Sequence, residues 1–174
     1  NADIDVSADE GDSYSWVGTI SAASVMGVTD QTVAAGPAHL WDWRSTLEVT
    51  MLNDAMWLDS RPAAAVLAGA NLALVGDEII QFAEATPVAP GRFRLSGLLR
   101  GRRGSEAEIG RHAVGERFVL FDMDRLFAFD PPVDATARSF QFRASHRSGA
   151  ANSFATIVPV GRALQSLAPA QLRL

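Results

Sequence analysis

From Glu78 to Leu99 two apolar-alternating runs meet at Pro90-Gly91. Alternation with a period of two is what a half-buried strand requires, because successive side chains point to opposite faces. The first run carries Ile79, Ile80 and Phe82. In the second, Phe93 and Leu95 alternate with Arg92 and Arg94. Pro90-Gly91 fits the centre of a type II turn, where Pro presets one φ and Gly supplies the positive one. The segment is therefore expected to be an antiparallel hairpin, from which the rest of a sheet must be built outward.

The same logic extends along the chain. Ser13–Ile20 can be extended, with Tyr14 and Trp16 as its aromatics, whereas Ser21–Pro37 reads as loop or irregular edge strand. Leu47, Val49 and Met51 alternate with Glu48 and Thr50. Asn53-Asp54 is a turn, after which Met56–Leu58 should begin a returning strand. Ser60-Arg61-Pro62 is a helix start: Ser60 can cap and Pro62 suits a first turn. The helix should run over Ala63–Ala68 and end at Gly69. Leu72, Leu74 and Val75 enter a strand that turns at Gly76-Asp77. Phe118–Phe121, Phe140–Phe142 and Phe154–Val160 are further strands, with Asp130-Pro131-Pro132 as a breaker. Short strands joined by tight turns, without long helices at βαβ spacing, predict a mainly β fold. The expected form is an antiparallel barrel- or sandwich-like domain with two short helices. The chain divides into an acidic, partly irregular segment at 1–40 and a β-rich core at 41–131. Residues 132–174 give C-terminal strands and a linker, in one domain with that core.

Charge and composition exclude several function classes. The net charge is −5 and every basic residue apart from the histidines is arginine, so a general nucleic-acid-binding surface is not expected. Cysteine is absent, which removes disulfides and thiolate metal sites. No apolar run reaches the length of a membrane span. Asp3, Asp5, Asp9, Glu10 and Asp12 crowd the start, and no Arg precedes Arg44. This stretch reads as a solvated terminus or strand edge. The glycine and distal glutamate of a calcium loop are not in place.

Candidate chemistry concentrates in Arg92–Asp122. Gly101 and Gly104 bracket Arg102-Arg103 and imply a tight backbone path. Ser105 to Glu108 matches a capping box, with Ser105 capping and Glu108 reaching back. Arg111 and His112 would sit at the negative end of that short helix, which Gly110 and Gly115 prevent from extending. Arg100, Arg102 and Arg103 are expected to serve carbonyls and carboxylates, with Glu84, Glu78 and Asp77 as candidate partners. An anion site at this turn is the competing reading, but Glu106 and Glu108 would repel phosphate and no P-loop lysine is present. His39, His112 and His146 show no paired metal spacing. His112 and Glu116 form an HxxxE pair that Gly115 makes unsuited to one continuous helix, so His112 reads as a hydrogen-bonded structural residue. No GxSxG elbow accompanies the serines. Trp16, Trp41, Trp43 and Trp57 are either core anchors or a sugar platform.

The string Leu95–Asp122 resembles a motif of tail-tip (baseplate hub) proteins of siphophage-like tails, most nearly the version in gene transfer agents. Arg100, Gly101, Gly104, His112 and Gly115 match that motif, and Ser105 stands where Thr is usual and keeps the hydroxyl. Val66–Asn71 and Leu74–Phe82 resemble the strands preceding it, and Leu167–Leu172 resembles the link to a following domain. The resemblance implies a domain of a longer protein, structural and non-catalytic, with no cofactor. It implies other tail proteins as partners, a homotrimer in the full-length protein, and location at a particle's tail tip after assembly in the bacterial cytoplasm. A host surface glycan is a further candidate contact. The alternatives are a carbohydrate- or receptor-binding module of the tail and a peptidoglycan hydrolase domain.

Overall fold

The computed structural model of the chain describes residues 1–161 apart from positions 39, 123, 133, 147 and 149–151. His39 and the expected linker at 167–172 thus lie outside the described residues. Ten strands and one α-helix form two sheets: a closed barrel and a four-stranded sheet. In chain order the strands are β1 (Ala2–Ser7), β2 (Ser15–Ile20), β3 (Met26–Thr29), β4 (Leu47–Met51), β5 (Leu72–Val75), β6 (Glu78–Ala89), β7 (Arg92–Leu99), β8 (Arg117–Leu120), β9 (Phe140–His146) and β10 (Ser153–Ile157). The helix α1 spans Ala63–Leu67.

The barrel follows the order β3-β4-β7-β6-β5-β8 and closes where β8 pairs with β3, all neighbours antiparallel. Its axis of construction is the β6–β7 hairpin, in which Gln81 faces Leu99 and Ala85 faces Leu95. Gly91 turns the hairpin with φ 66°. The ladder shifts register between Pro87 and Ala89, beside a residue that has no backbone donor. Alternation sends Leu47, Val49, Met51, Phe93, Leu95, Val75, Ile80, Phe82 and Phe118 inward, where they form one buried cluster. Closure removes the exposed edges an open sheet of this length would leave.

Several expectations need correction. The segment around Met26 is a strand paired on both sides within the barrel, not loop or edge strand, although it lacks a clean apolar alternation. Gly27 makes its closeness to β4 workable: a Cβ there would lie 2.5 Å from the Thr50 carbonyl oxygen. Met56–Leu58 forms no strand. Met56 donates its backbone N–H to Asn53, prolonging the turn, and Leu58 drops into the core. Among the described residues one α-helix forms where two were expected. The second is cut to the 3-10 turn Glu106–Glu108, preceded by another at Arg102–Gly104, because Ile109 turns extended at ψ 126° and Gly110 takes φ 81°. In α1, Ser60 does not cap. Its hydroxyl accepts the Ala85 N–H at 3.0 Å and so ties the helix approach to β6.

The acidic start is also ordered differently from a solvated tail. β1 lies inside the second sheet, between β9 and β2, in the order β10-β9-β1-β2. Asp3 accepts the Thr19 hydroxyl at 2.6 Å, and Asp5 accepts a guanidinium N–H from Arg143 at 2.9 Å. Ile4 faces the other way with Phe140 and Phe142, against which Phe129 packs at ring distances of 5.5 and 5.2 Å. The sheet therefore joins the two ends of the described chain beside the barrel. Among the described residues, no helix is long and apolar enough to cross a membrane.

Burial should separate the phenylalanines. Phe93→Ala, at a fully enclosed site, is expected to cost about 3–5 kcal/mol in urea unfolding. Phe154→Ala, at a side chain 65% exposed, should change stability by no more than about 0.5 kcal/mol.

Candidate functional site

The most concentrated polar structure in the molecule stands where β7 ends. Arg100 is 1% exposed, as buried as the core phenylalanines. Burying a guanidinium is tenable only with full hydrogen bonding and a counter-charge. Glu78, at the start of β6, provides both. Arg100 Nε donates to Glu78 Oε1 at 2.8 Å and Nη2 donates to Oε2 at 2.7 Å, a two-point fork. Nη1 donates to the Ala34 carbonyl at 3.1 Å, fastening the long connection between β3 and β4. The Gly101 N–H donates to the same Glu78 Oε1 at 2.7 Å. That approach needs Gly101 at φ 60°, where a Cβ would come within 2.9 Å of Glu106 Cα.

His112 completes the network. Its ring is 3% exposed and sits between two carboxylates, with Nε2 2.6 Å from Glu78 Oε2 and Nδ1 2.7 Å from Glu116 Oε2. An imidazolium donates through both nitrogens and satisfies this geometry. The Glu78 hydrogen bond, opposed by burial and assisted by Glu116, raises the His112 pKa above its ordinary value. Burial alone would push Glu78 up. The His112 and Arg100 hydrogen bonds, the Arg100 charge and the Gly101 N–H outweigh it and hold Glu78 below the usual range. Arg100 and His112 thus face Glu78 and Glu116 in one chain of contacts, buried at Arg100, Glu78 and His112 and partly exposed at Glu116. Glu116 is itself positioned by Ala113, whose N–H donates to Oε1 at 3.0 Å, and by its own N–H to Thr29 Oγ1 at 3.0 Å. A third carboxylate, Asp42, lies nearby and buried. Burial opposes its ionisation, yet the Ser45 and Arg44 N–H groups and the Arg100 charge keep its pKa low.

The remaining motif residues hold the turn in place. Ser105 does not cap a helix. Its hydroxyl accepts the Ile79 N–H at 2.9 Å and donates to the Arg102 carbonyl at 2.8 Å, pinning the turn onto β6. Glu108 lies 3.5 Å from Arg111. Gly104 and Gly115 take φ values of 84° and 83°, and the Gly115 N–H donates to the Thr29 carbonyl at 2.8 Å. Arg102 donates to Gln81 Oε1 at 3.0 Å, and Gln81 Nε2 reaches the Ala70 carbonyl at 2.9 Å, linking the turn to the end of α1.

Arg100, Gly101, Ser105, His112 and Gly115 therefore converge. Of the three acids considered for Arg100, the fold selects Glu78. Glu84 instead accepts the Ser96 hydroxyl at 2.6 Å. Glu116 reaches His112 although no helix joins them. Asp42 and Gln81 were not anticipated. Asp42 lies in an aromatic stretch, His39-Leu40-Trp41-Asp42-Trp43, whose apolar pattern dominates its reading. Gln81 offers only its place among apolar strand residues as a signal. Chemically, the network offers donors and acceptors to one another and little to a substrate. The space between it and the barrel core is too small to admit water. Among the described residues, no group of His, Asp or Glu is arranged to hold a metal ion.

The barrel has a known counterpart in sequence. A family model described as Rcc01698-like, C-terminal, matches residues 24–119. The chain belongs to the Rcc01698-like C-terminal family. The matched span runs almost from β3 through β8, which are the barrel's own limits, and includes the whole buried network. In this family member, β1, β2, β9 and β10 lie outside the match. No curated protein is similar enough to count as a relative.

Two outcomes follow from the network. Arg100→Ala strands Glu78 and His112 in a dry interior and is expected to cost about 3–5 kcal/mol in chemical denaturation. An unchanged midpoint would contradict this geometry. The pH profile has a defined sign. Raising the His112 pKa above 6.5 gives stability that is full below pH 6.5 and is lost as pH rises through the folded value. Lowering that of Glu78 below 4.5 gives stability that is present above pH 4.5 and is lost as pH falls through its folded value. Melting temperature should thus decline on both sides of that window. His112→Asn should flatten the alkaline arm, and equal slopes above pH 6.5 in both proteins would refute the assignment.

Proposed function

We propose that this chain is a structural, non-catalytic domain of a tail-tip baseplate hub from a phage-like particle, of the gene-transfer-agent kind. It would act in particle assembly alongside other tail proteins, within a trimer of the full-length protein. The observation that carries this reading is the use made of the motif that resembles the hub family. Arg100, Gly101, Ser105, His112 and Gly115 all spend their bonding capacity on holding the barrel closed. The family match to the same span supports it. A hydrolase would need His112 beside a nucleophile or metal in an open cleft, and the His112 ring is enclosed between Glu78 and Glu116.

Particles purified from the producing cell provide the test. An antibody against this domain should decorate the end of the tail distal to the head in negative-stain micrographs. Deleting the domain from its gene should yield particles without intact tips. Normal tips in the deletion strain, or label confined to another part of the particle, would refute the proposal.

A further inference from the structure

One cleft has a lining that shares no residue with the Arg100, Glu78 and His112 network. It occupies about 600 Å³, between the turn after β4, the start and end of α1, and the chain leaving β8. That is within the size range of small-molecule sites. One wall is Trp57, whose side chain is 58% exposed. The indole meets the buried Phe93 ring edge to face, at 4.9 Å and 86°. The polar lining consists of Asp59, Arg61, Asn71, Asp122 and Arg125.

The charges of this lining cancel in pairs. Arg61 lies 3.5 Å from Asp59, and Arg125 lies 3.0 Å from Asp122. Asn71 is locked by donating to the Asp59 and Phe82 carbonyls at 2.8 and 3.1 Å. A lone anion or cation would meet its like charge beside every opposite one. A neutral polyhydroxylated ring gains from both members of each pair, because each hydroxyl donates and accepts. The apolar C–H face of such a ring stacks on an exposed indole, whose aromatic surface combines apolar bulk with a negative face.

We propose that this cleft binds a neutral carbohydrate, with Trp57 as the stacking platform and the Asp59–Arg61 and Asp122–Arg125 pairs as the hydroxyl-binding groups. The inference does not rest on the hub reading, since the cleft has the same chemistry in any particle or none.

Titration calorimetry on the whole chain with maltohexaose, cellohexaose and chitohexaose tests it, with hexagalacturonate as the charged control. At least one neutral hexasaccharide should bind, and more tightly than the control. Trp57→Ala should weaken that binding at least about tenfold, which is about 1.4 kcal/mol. Trp57→Phe should recover part of it. Because Trp57 also touches Phe93, Asp59→Asn is the second variant: it alters an exposed rim group and should weaken binding with an unchanged melting temperature. Trp16→Ala, on the separate four-stranded sheet, should bind as the unchanged chain does. Binding to none of the neutral probes would overturn the proposal, as would affinity that survives both Trp57→Ala and Asp59→Asn, or that is lost with Trp16→Ala. Location of the domain in particles is read independently by micrographs, so failure here leaves that question to its own measurement.

Discussion

The rest of the barrel's closed end depends on one ion pair, Arg100 with Glu78. Both are nearly inaccessible to water, and neither could remain charged there alone. Their fork draws the end of β7 against the start of β6. From it, Arg100 reaches the connection near Ala34, Gly101 is drawn onto Glu78, and Glu78 holds one side of His112. His112 then passes the constraint to Glu116 at the entry of β8. Three barrel strands and two connections are thus anchored by a network of opposed charges. Such a network adds little net stability over an apolar one of the same volume. Its consequence is geometric: a displaced strand would leave a bare charge in a dry interior.

The glycines of this region serve the same end. Gly101 lets the backbone turn back onto the carboxylate, and Gly27 lets β3 come close enough to β4 for the barrel to close. The coincidence of the family match with β3 through β8 is then physically sensible, because the barrel and its network form one cooperative unit. The four-stranded sheet solves a different problem. Strands from the two ends of the described chain pair with one another, and Asp5 is held by Arg143 across them. An acidic stretch can therefore be part of a sheet when its apolar residues, Ile4 and Val6, face one side and its acids find partners on the other.

How much of this could be read in advance differs by element. The β6–β7 hairpin was legible as a span over Glu78–Leu99, because alternation and a Pro-Gly turn are local signals that agree. The strand at Leu47–Met51 was legible for the same reason. β1 was not, since five acids in the first twelve residues outweighed the alternation of Ile4 and Val6. β3 has four residues and a glycine, too short a pattern to register. The expected helix at Ser105 stopped after one 3-10 turn at Ile109 and Gly110, and the serine hydroxyl took the Ile79 N–H, which is distant in sequence. In the buried network, the motif residues were visible as types. That Arg100 wanted a carboxylate followed from its setting, but the choice of Glu78 over Glu84 and Asp77 did not.

The sequence by itself determined the class of fold, the central hairpin and the sharp backbone path through Gly101 and Gly104. Each depends on interactions between residues a few positions apart, or on conformations particular residue types allow. Tertiary structure alone decided the order in which strands pair, the closing contact of β8 with β3, the partners of Arg100 and His112, and the gathering of Trp57, Asp59, Asn71 and Arg125 around one cleft. Those outcomes depend on which distant groups barrel closure and burial bring within hydrogen-bond range. A charge excluded from water accepts whichever partner the closed barrel places beside it.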